Sequence, residues 1–316
     1  MPTPVTNPSA VRPSHRARGN VLLLLTAAIW GFAFTAQRVG AEHVGPFSFN
    51  AVRFTLGALV LLPLIRLLDR REDRLGTPLD GRRTGPAWRL TLGPGLIAGT
   101  VLFLGAFLQQ AGIATTTAGK AAFVTGLYVV LVPLLGIALR HRTTTGTWVG
   151  VVFAVAGMYL LCVTEDLTIA AGDALVLLSA FAFAGHILVI DRYGALDPIR
   201  LSAVQFFTCA GLSLIAALAV EAAPFGGLGR AVVPILYGGL LSVGVAYTLQ
   251  VVAQRDAVPS HAALILALES VFGVIGGALL LGESMTARGY LGCALMFTGI
   301  VVSQLGPARA PAVPAP

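Results

Sequence analysis

Apolar residues in this chain run in long unbroken blocks rather than alternating or recurring every third or fourth position. The blocks cover residues 21–38, 47–65, 93–113, 120–139, 147–164, 172–190, 199–220, 231–253, 260–281 and 286–305. Short segments holding Gly, Pro and Arg separate them. A helix rises 1.5 Å per residue, so a block of about 20 residues matches a hydrocarbon layer of about 30 Å. Helices also satisfy their own backbone hydrogen bonds, as a lipid-embedded segment must. The pattern predicts an all-α membrane protein with ten transmembrane helices. The first block follows several arginines, as a signal peptide does. It is long for a signal sequence, contains Trp30 and lacks a clear A-x-A cleavage site, so it reads as a retained span.

Composition agrees with the pattern. The chain has 316 residues, 56% hydrophobic and 11% charged, against about 45–50% and about 25% in soluble domains. Residues 1–19, rich in Pro, Ser and Arg, read as a disordered basic tail, and 306–316 as a short Ala- and Pro-rich tail. A net charge of +7 could point to nucleic acid, but the arginines form no stripe interleaved with aromatics. They sort by loop instead. With the N-terminus cytoplasmic, sixteen arginines fall on that side and only Arg38, Arg230 and Arg288 on the other. That asymmetry fits the positive-inside rule and places both termini in the cytoplasm, the membrane being the cytoplasmic (inner) membrane. Cys162, Cys209 and Cys293 are isolated within apolar blocks, so neither a metal site nor a disulfide framework is expected. No Walker A motif or other cofactor cradle is present.

The blocks also repeat. GAFLQQAGIATTTAGKAAFVTGLY (105–128) aligns without a gap over AYTLQVVAQRDAVPSHAALILALE (246–269), pairing Gln109 with Gln250, Leu127 with Leu268 and Tyr128 with Glu269. GPFSFNAVRF (45–54) aligns over DPIRLSAVQF (197–206), pairing Arg53 with Gln205. A weaker match sets Gly150 on Gly292 and Gly157 on Gly299. Two halves of five spans follow, 20–164 and 172–305. Because five is odd, the second crosses the membrane in the opposite sense, giving an inverted repeat.

On these residues the chain resembles the drug/metabolite transporter superfamily, in the branch built from two EamA-like halves. The resemblance rests on Trp30-Gly31, Arg53, Gly119-Lys120-Ala121-Ala122-Phe123, Val132-Pro133, Ser260-His261-Ala262-Ala263, Leu268-Glu269, Leu281-Gly282-Glu283, Gly292 and Gly299. It implies a central cavity between the halves and alternating-access transport of a small organic metabolite, amino acid or drug-like compound. Where the family often has Glu-Pro in span 9, this chain has Glu269-Ser270. That departure removes the proline that would assist bending of span 9.

Ionisable residues within spans cost roughly 2.5–3.5 kcal/mol on insertion scales and so mark candidate sites. Glu269 lies deep in span 9 with no basic residue near it on its own helix. It reads either as a neutral, hydrogen-bonded carboxyl or as a proton- or substrate-cation-binding group. Lys120, the only lysine, opens span 4. It either snorkels to the interface or faces the cavity mouth. Arg53, seven residues after Pro46 toward the non-cytoplasmic side, reads as interfacial or as a structural hydrogen-bonding group, with substrate contact the lesser alternative. Gln109 and Gln250 are expected to approach the cavity from opposite halves, with Tyr128, Trp30 and His186 as further lining candidates. Each of these has a bland alternative in interhelical hydrogen bonding or aromatic packing. The function expected is secondary transport, in the sense of efflux, with proton coupling through Glu269 a possibility. The alternatives are a membrane-embedded lipid-modifying enzyme and a non-transporting receptor or scaffold. The sequence leaves oligomeric state open.

Overall fold

The computed structural model describes residues 13–75, 87–116, 118–139, 143–162, 171–281 and 287–305. These residues form helices and connecting turns, with no strand among them. Eight segments are long and apolar enough to cross a membrane, from Ala17–Ala41 to Pro259–Gly276. Two shorter apolar helices, Thr145–Leu160 and Ala287–Ser303, accompany them. The outer surface carries large aliphatic side chains such as Leu25, Leu59, Ile97, Ile215 and Leu279, while the interior holds Arg53, Gln110, His186, Gln205 and Glu269. This inverts the usual soluble distribution, as expected where lipid is the solvent.

The helices are α1 (Pro13–Ala41), α2 (Pro46–Leu75), α3 (Ala87–Ile113), α4 (Ala118–Gly126), α5 (Tyr128–Ala138), α6 (Thr145–Cys162), α7 (Ala171–Arg192) and α8 (Pro198–Val220). After a short 3-10 turn come α9 (Val232–Leu236), a π-helix (Tyr237–Tyr247) and α10 (Thr248–Ala253), which continue one another. The series closes with α11 (Pro259–Leu266), α12 (Glu269–Leu281) and α13 (Ala287–Leu305). Helix α1 begins at Pro13, so the later part of the segment expected to be a disordered tail is helical. Residues 1–12 and 306–316, the rest of the expected tails, lie outside the described residues.

Two apolar blocks that read as continuous spans are broken in the middle. The first stops at Gly126 and restarts at Tyr128. The second stops at Leu266 and restarts at Glu269. At both breaks the backbone tightens into three-residue bonds, Leu127 N–H to Val124 O and Leu268 N–H to Ile265 O. Leu127 (φ −61°, ψ −11°) and Ala267 (φ −59°, ψ −16°) have nearly the same conformation. The break between Leu266 and Glu269 has no proline beside it, so it does not need the family's Glu-Pro.

Helix α1 packs on α12 and on the π-helix, α2 on α8 and the π-helix, and α3 on α7 and α8. Helices α4 and α5 pack on α7, and α6 on α13. The α6–α13 contact is close because it is lined with glycine. A Cβ on Gly150 would lie 2.7 Å from the Gly299 carbonyl, and one on Gly157 would lie 2.5 Å from that of Gly292. Backbones meet there, as in small-residue contacts between membrane helices.

Candidate functional site

A cavity opens where the broken helices face α1, α2, α3, α7 and the π-helix. Together with the open space at its mouth it spans about 470 Å³ not filled by protein atoms. Its wall is built from one or a few residues of each of these elements, so no single helix makes the site.

Glu269 is the first residue of α12 and is 3% exposed. The break that ends α11 aims this carboxyl into the cavity at a helix N-terminus, where the peptide dipole favours negative charge. Across from it, Tyr128 opens α5 and is also buried. The Tyr128 hydroxyl lies within reach of a side-chain hydrogen bond to the Glu269 carboxyl, but the geometry is not that of a well-formed bond at Tyr128 Oη or Glu269 Oε1. Among the described residues Glu269 joins no ion pair. Each break thus delivers a polar side chain, one tyrosine and one carboxyl, to the same space.

Gln109 and Gln250 line the cavity as well. Gln109 Nε2 donates to Thr125 Oγ1 at 3.1 Å, while Gln250 Oε1 is buried without a donor. His186 is held by Gln205, its Nε2 lying 2.8 Å from Gln205 Oε1. Its ring meets Tyr247 edge-on at 6.1 Å. Trp30 stacks at a tilt on Tyr247, centroids 4.5 Å apart, and its Nε1 donates to the Ser242 carbonyl at 3.2 Å. Two further bonds tie α1 to the same stretch, from Thr26 Oγ1 to Ala246 O (3.2 Å) and from Tyr237 Oη to Ile29 O (2.8 Å). π-Helical turns within α-helices are frequent at functional sites. Here one carries Ser242 and Tyr247 onto the cavity wall.

Six of the seven expected site residues, Glu269, Gln109, Gln250, Tyr128, Trp30 and His186, therefore share one cavity. The seventh, Lys120, belongs to α4, and its side chain lies outside the described residues. Of the two roles expected for Arg53, the structural one holds and the interfacial one does not: it is 1% exposed, donates to Asn50 Oδ1 at 2.8 Å and lines the cavity. Gln110 stays out of the cavity wall and donates to the Gln37 carbonyl at 3.1 Å, an interhelical bond.

A profile of the EamA-like transporter family matches residues 17–163 and again residues 170–304. The chain belongs to the EamA-like transporter family. It is 30% identical over 285 residues to an uncharacterized transporter of Archaeoglobus fulgidus, covering 90% of this chain and 84% of that one. It is 26% identical over 303 residues to the uncharacterized transporter YwfM of Bacillus subtilis, covering 92% and 96%. A crystal structure covering 93% of this chain and 99% of its own superposes with a TM-score of 0.70 at 18% identity, a likeness of fold. This EamA-like transporter is thus a multi-pass membrane protein.

Sequence reasoning missed Gln37, Ser242, Tyr247 and Phe183 on the cavity wall. Gln37 carried a usable signal, as an amide within a span. Tyr247 and Phe183 carried none, because an aromatic residue in an apolar helix reads equally well as lipid-facing or packed.

Proposed function

We propose that this EamA-like protein is a secondary transporter that moves a small organic metabolite across the cytoplasmic membrane by alternating access, in the efflux direction. Ten spans form two inverted five-helix halves. Helices α1, α2, α3, α4–α5 and α6 make the first; α7, α8, α9–α10, α11–α12 and α13 make the second. Both termini are cytoplasmic.

The packing supports the inverted repeat. Exchanging the halves turns the contact of α3 with α7 into that of the π-helix segment with α1, and α3 with α8 into the π-helix with α2. It turns α1 with α12 into α7 with α4 and α5. The α2–α8 and α6–α13 contacts map onto themselves. Gly150 meets Gly299 while Gly157 meets Gly292, the reciprocal pattern of a two-fold interface. The two helix breaks fall at paired positions as well.

The observation that carries the transport reading is the convergence of Glu269, Tyr128, Gln109 and Gln250 on one cavity between the halves, at the ends of discontinuous helices. Transporters built from inverted repeats place substrate and coupling ions at such breaks. Glu269 serves as the proton- or cation-binding group, because it is a buried carboxyl with no ion pair among the described residues. The amides and Trp30 supply neutral polar and aromatic contacts to a small solute. Among the described residues no group of three or more His, Cys, Asp or Glu side chains could hold a metal.

The test is flux through purified protein in liposomes, with a metabolite mixture and with or without a pH gradient. The wild type should move a solute faster with the gradient. Glu269→Gln should lose at least about tenfold of the gradient-driven component while keeping solute exchange. A Glu269→Gln protein with the wild-type pH profile would remove the carboxyl from the coupling step.

A further inference from the structure

We propose that Arg53 is the oxyanion-recognising group of this cavity, and that the transported solute carries a carboxylate attached to an apolar or aromatic body. The inference rests on the transport reading above and names its substrate class.

Arg53 is a fully buried guanidinium on the cavity wall. Its Nε donates to Asn50 Oδ1 at 2.8 Å. Its carbon Cζ lies 5.4 Å from the Phe49 ring centroid and 5.0 Å from that of Phe54. Among the described residues it forms no ion pair. Arg53 Nη2 is left without an acceptor, and so is Asn50 Nδ2. The Arg53 bond fixes the Asn50 amide with its oxygen toward Nε, so the orphaned Asn50 atom is a donor. Two buried donors one helical turn apart, with no acceptor for either, make a site short of negative charge. Burying a cation without a counter-charge is strongly unfavourable, and a bound anion offsets that penalty. The planar terminal edge of arginine matches a carboxylate in two parallel bonds.

Packing alone does not call for this charge. The repeat-related position on α8 is Gln205, fully buried like Arg53 and neutral, with its oxygen bonded to His186. Asn50 corresponds in the same way to Ser202. A neutral amide therefore fills the equivalent place, and the positive charge is particular to the first half. Glu269 is likewise particular to the second half, its counterpart being Tyr128. No ion pair joins Arg53 to Glu269 among the described residues. Arg53 is free to take the carboxylate while Glu269 handles a proton or a second, cationic group. Trp30, Tyr247 and Phe183 line the same cavity and offer apolar surface to the rest of the solute.

The experiment measures binding to purified full-length protein in lipid nanodiscs by calorimetry, using phenylacetate, its neutral isostere phenylacetamide, and phenethylamine. Wild type should bind phenylacetate at least about tenfold more tightly than phenylacetamide, in line with the added strength of charge-assisted bonds. Arg53→Lys should weaken phenylacetate binding but keep the acid-over-amide preference. Arg53→Gln, which copies Gln205, should abolish the preference. Equal binding of acid and amide by wild type, tighter binding of the amine, or no binding of the acid at millimolar concentration would each overturn the proposal. An acid preference unchanged in Arg53→Gln would do the same. Should Arg53→Gln fail to fold, Arg53→Lys decides, since wild-type affinity for phenylacetate in that protein contradicts a bidentate contact. Glu269→Gln should retain the acid preference, so failure of proton coupling and failure of the carboxylate site are told apart.

Discussion

Glu269 and Tyr128 meet because each is the first residue of a restarted helix, and both half-helices point at the same space. Tyr128 Oη and Glu269 Oε1 are both among the buried polar atoms that lack a well-formed hydrogen bond. Removing a buried hydroxyl without such a bond should be nearly neutral or stabilising. Tyr128→Phe is accordingly expected to leave the thermal midpoint unchanged or raised, and a clear loss of stability would mean the hydroxyl is bonded after all. His186 presents the opposite case. His186→Leu would strand the buried Gln205 amide and should cost about 1–3 kcal/mol, read as a lower unfolding midpoint beside a normally stable His186→Gln. At this scale the sequence was informative wherever a polar group within a span had to be accounted for, as with Glu269, Gln109 and Gln250. At Arg53, where distance along α2 from Pro46 suggested an interfacial or a structural role, the structural alternative is the one realised, through the bond to Asn50 Oδ1. The Glu221 carboxylate, far away in sequence, accepts from the Phe47 and Ser48 amides and from Ser48 Oγ and closes that end of the helix. A contact between residues that distant leaves no local trace.

Single elements depart from regularity where they meet the cavity. The interruptions near Leu127 and Leu268 were invisible as hydrophobicity, because the apolar blocks run straight through them. Pairing Tyr128 with Glu269 by alignment nevertheless placed the two restart points in register. The π-helix was not legible either. Its carbonyls at Ser242 and Ala246 accept from Trp30 and Thr26 on α1, so neighbours outside the segment help to set its hydrogen bonding. The glycine contact between α6 and α13 yields a clean prediction. Gly157→Ala places a methyl 2.5 Å from a backbone oxygen and forces the helices apart. Overpacking of this kind costs about 1–3 kcal/mol. Gly211→Ala on α8 meets nothing within 4 Å and serves as the control. The first variant should unfold at a lower temperature than wild type and the second should not. Equal midpoints for both would contradict the close approach.

The whole molecule is held at both ends of α2. Near its C-terminus, Asp69 pairs with Arg200 of α8, which also bonds Asp197 at 2.7 Å. At its N-terminus, Glu221 and the Phe225 amide converge on Ser48. These polar clusters tie the two ends of α2 to α8 and to the turn that follows it. The membrane class and the two-part organisation were legible from the apolar blocks and their alignment, because a bilayer imposes length and polarity on each span separately. Which helices surround the cavity was not, since that depends on contacts between spans. The central claim, that the cavity between the halves is the solute path, is tested most directly by side-specific labelling. A single cysteine at Gln250, in a protein whose Cys162, Cys209 and Cys293 are replaced by alanine, would be exposed in inverted and right-side-out vesicles to a membrane-impermeant thiol reagent. Labelling from both faces, slowed by transported solute, is the predicted result; labelling from one face only, or from neither, would contradict it.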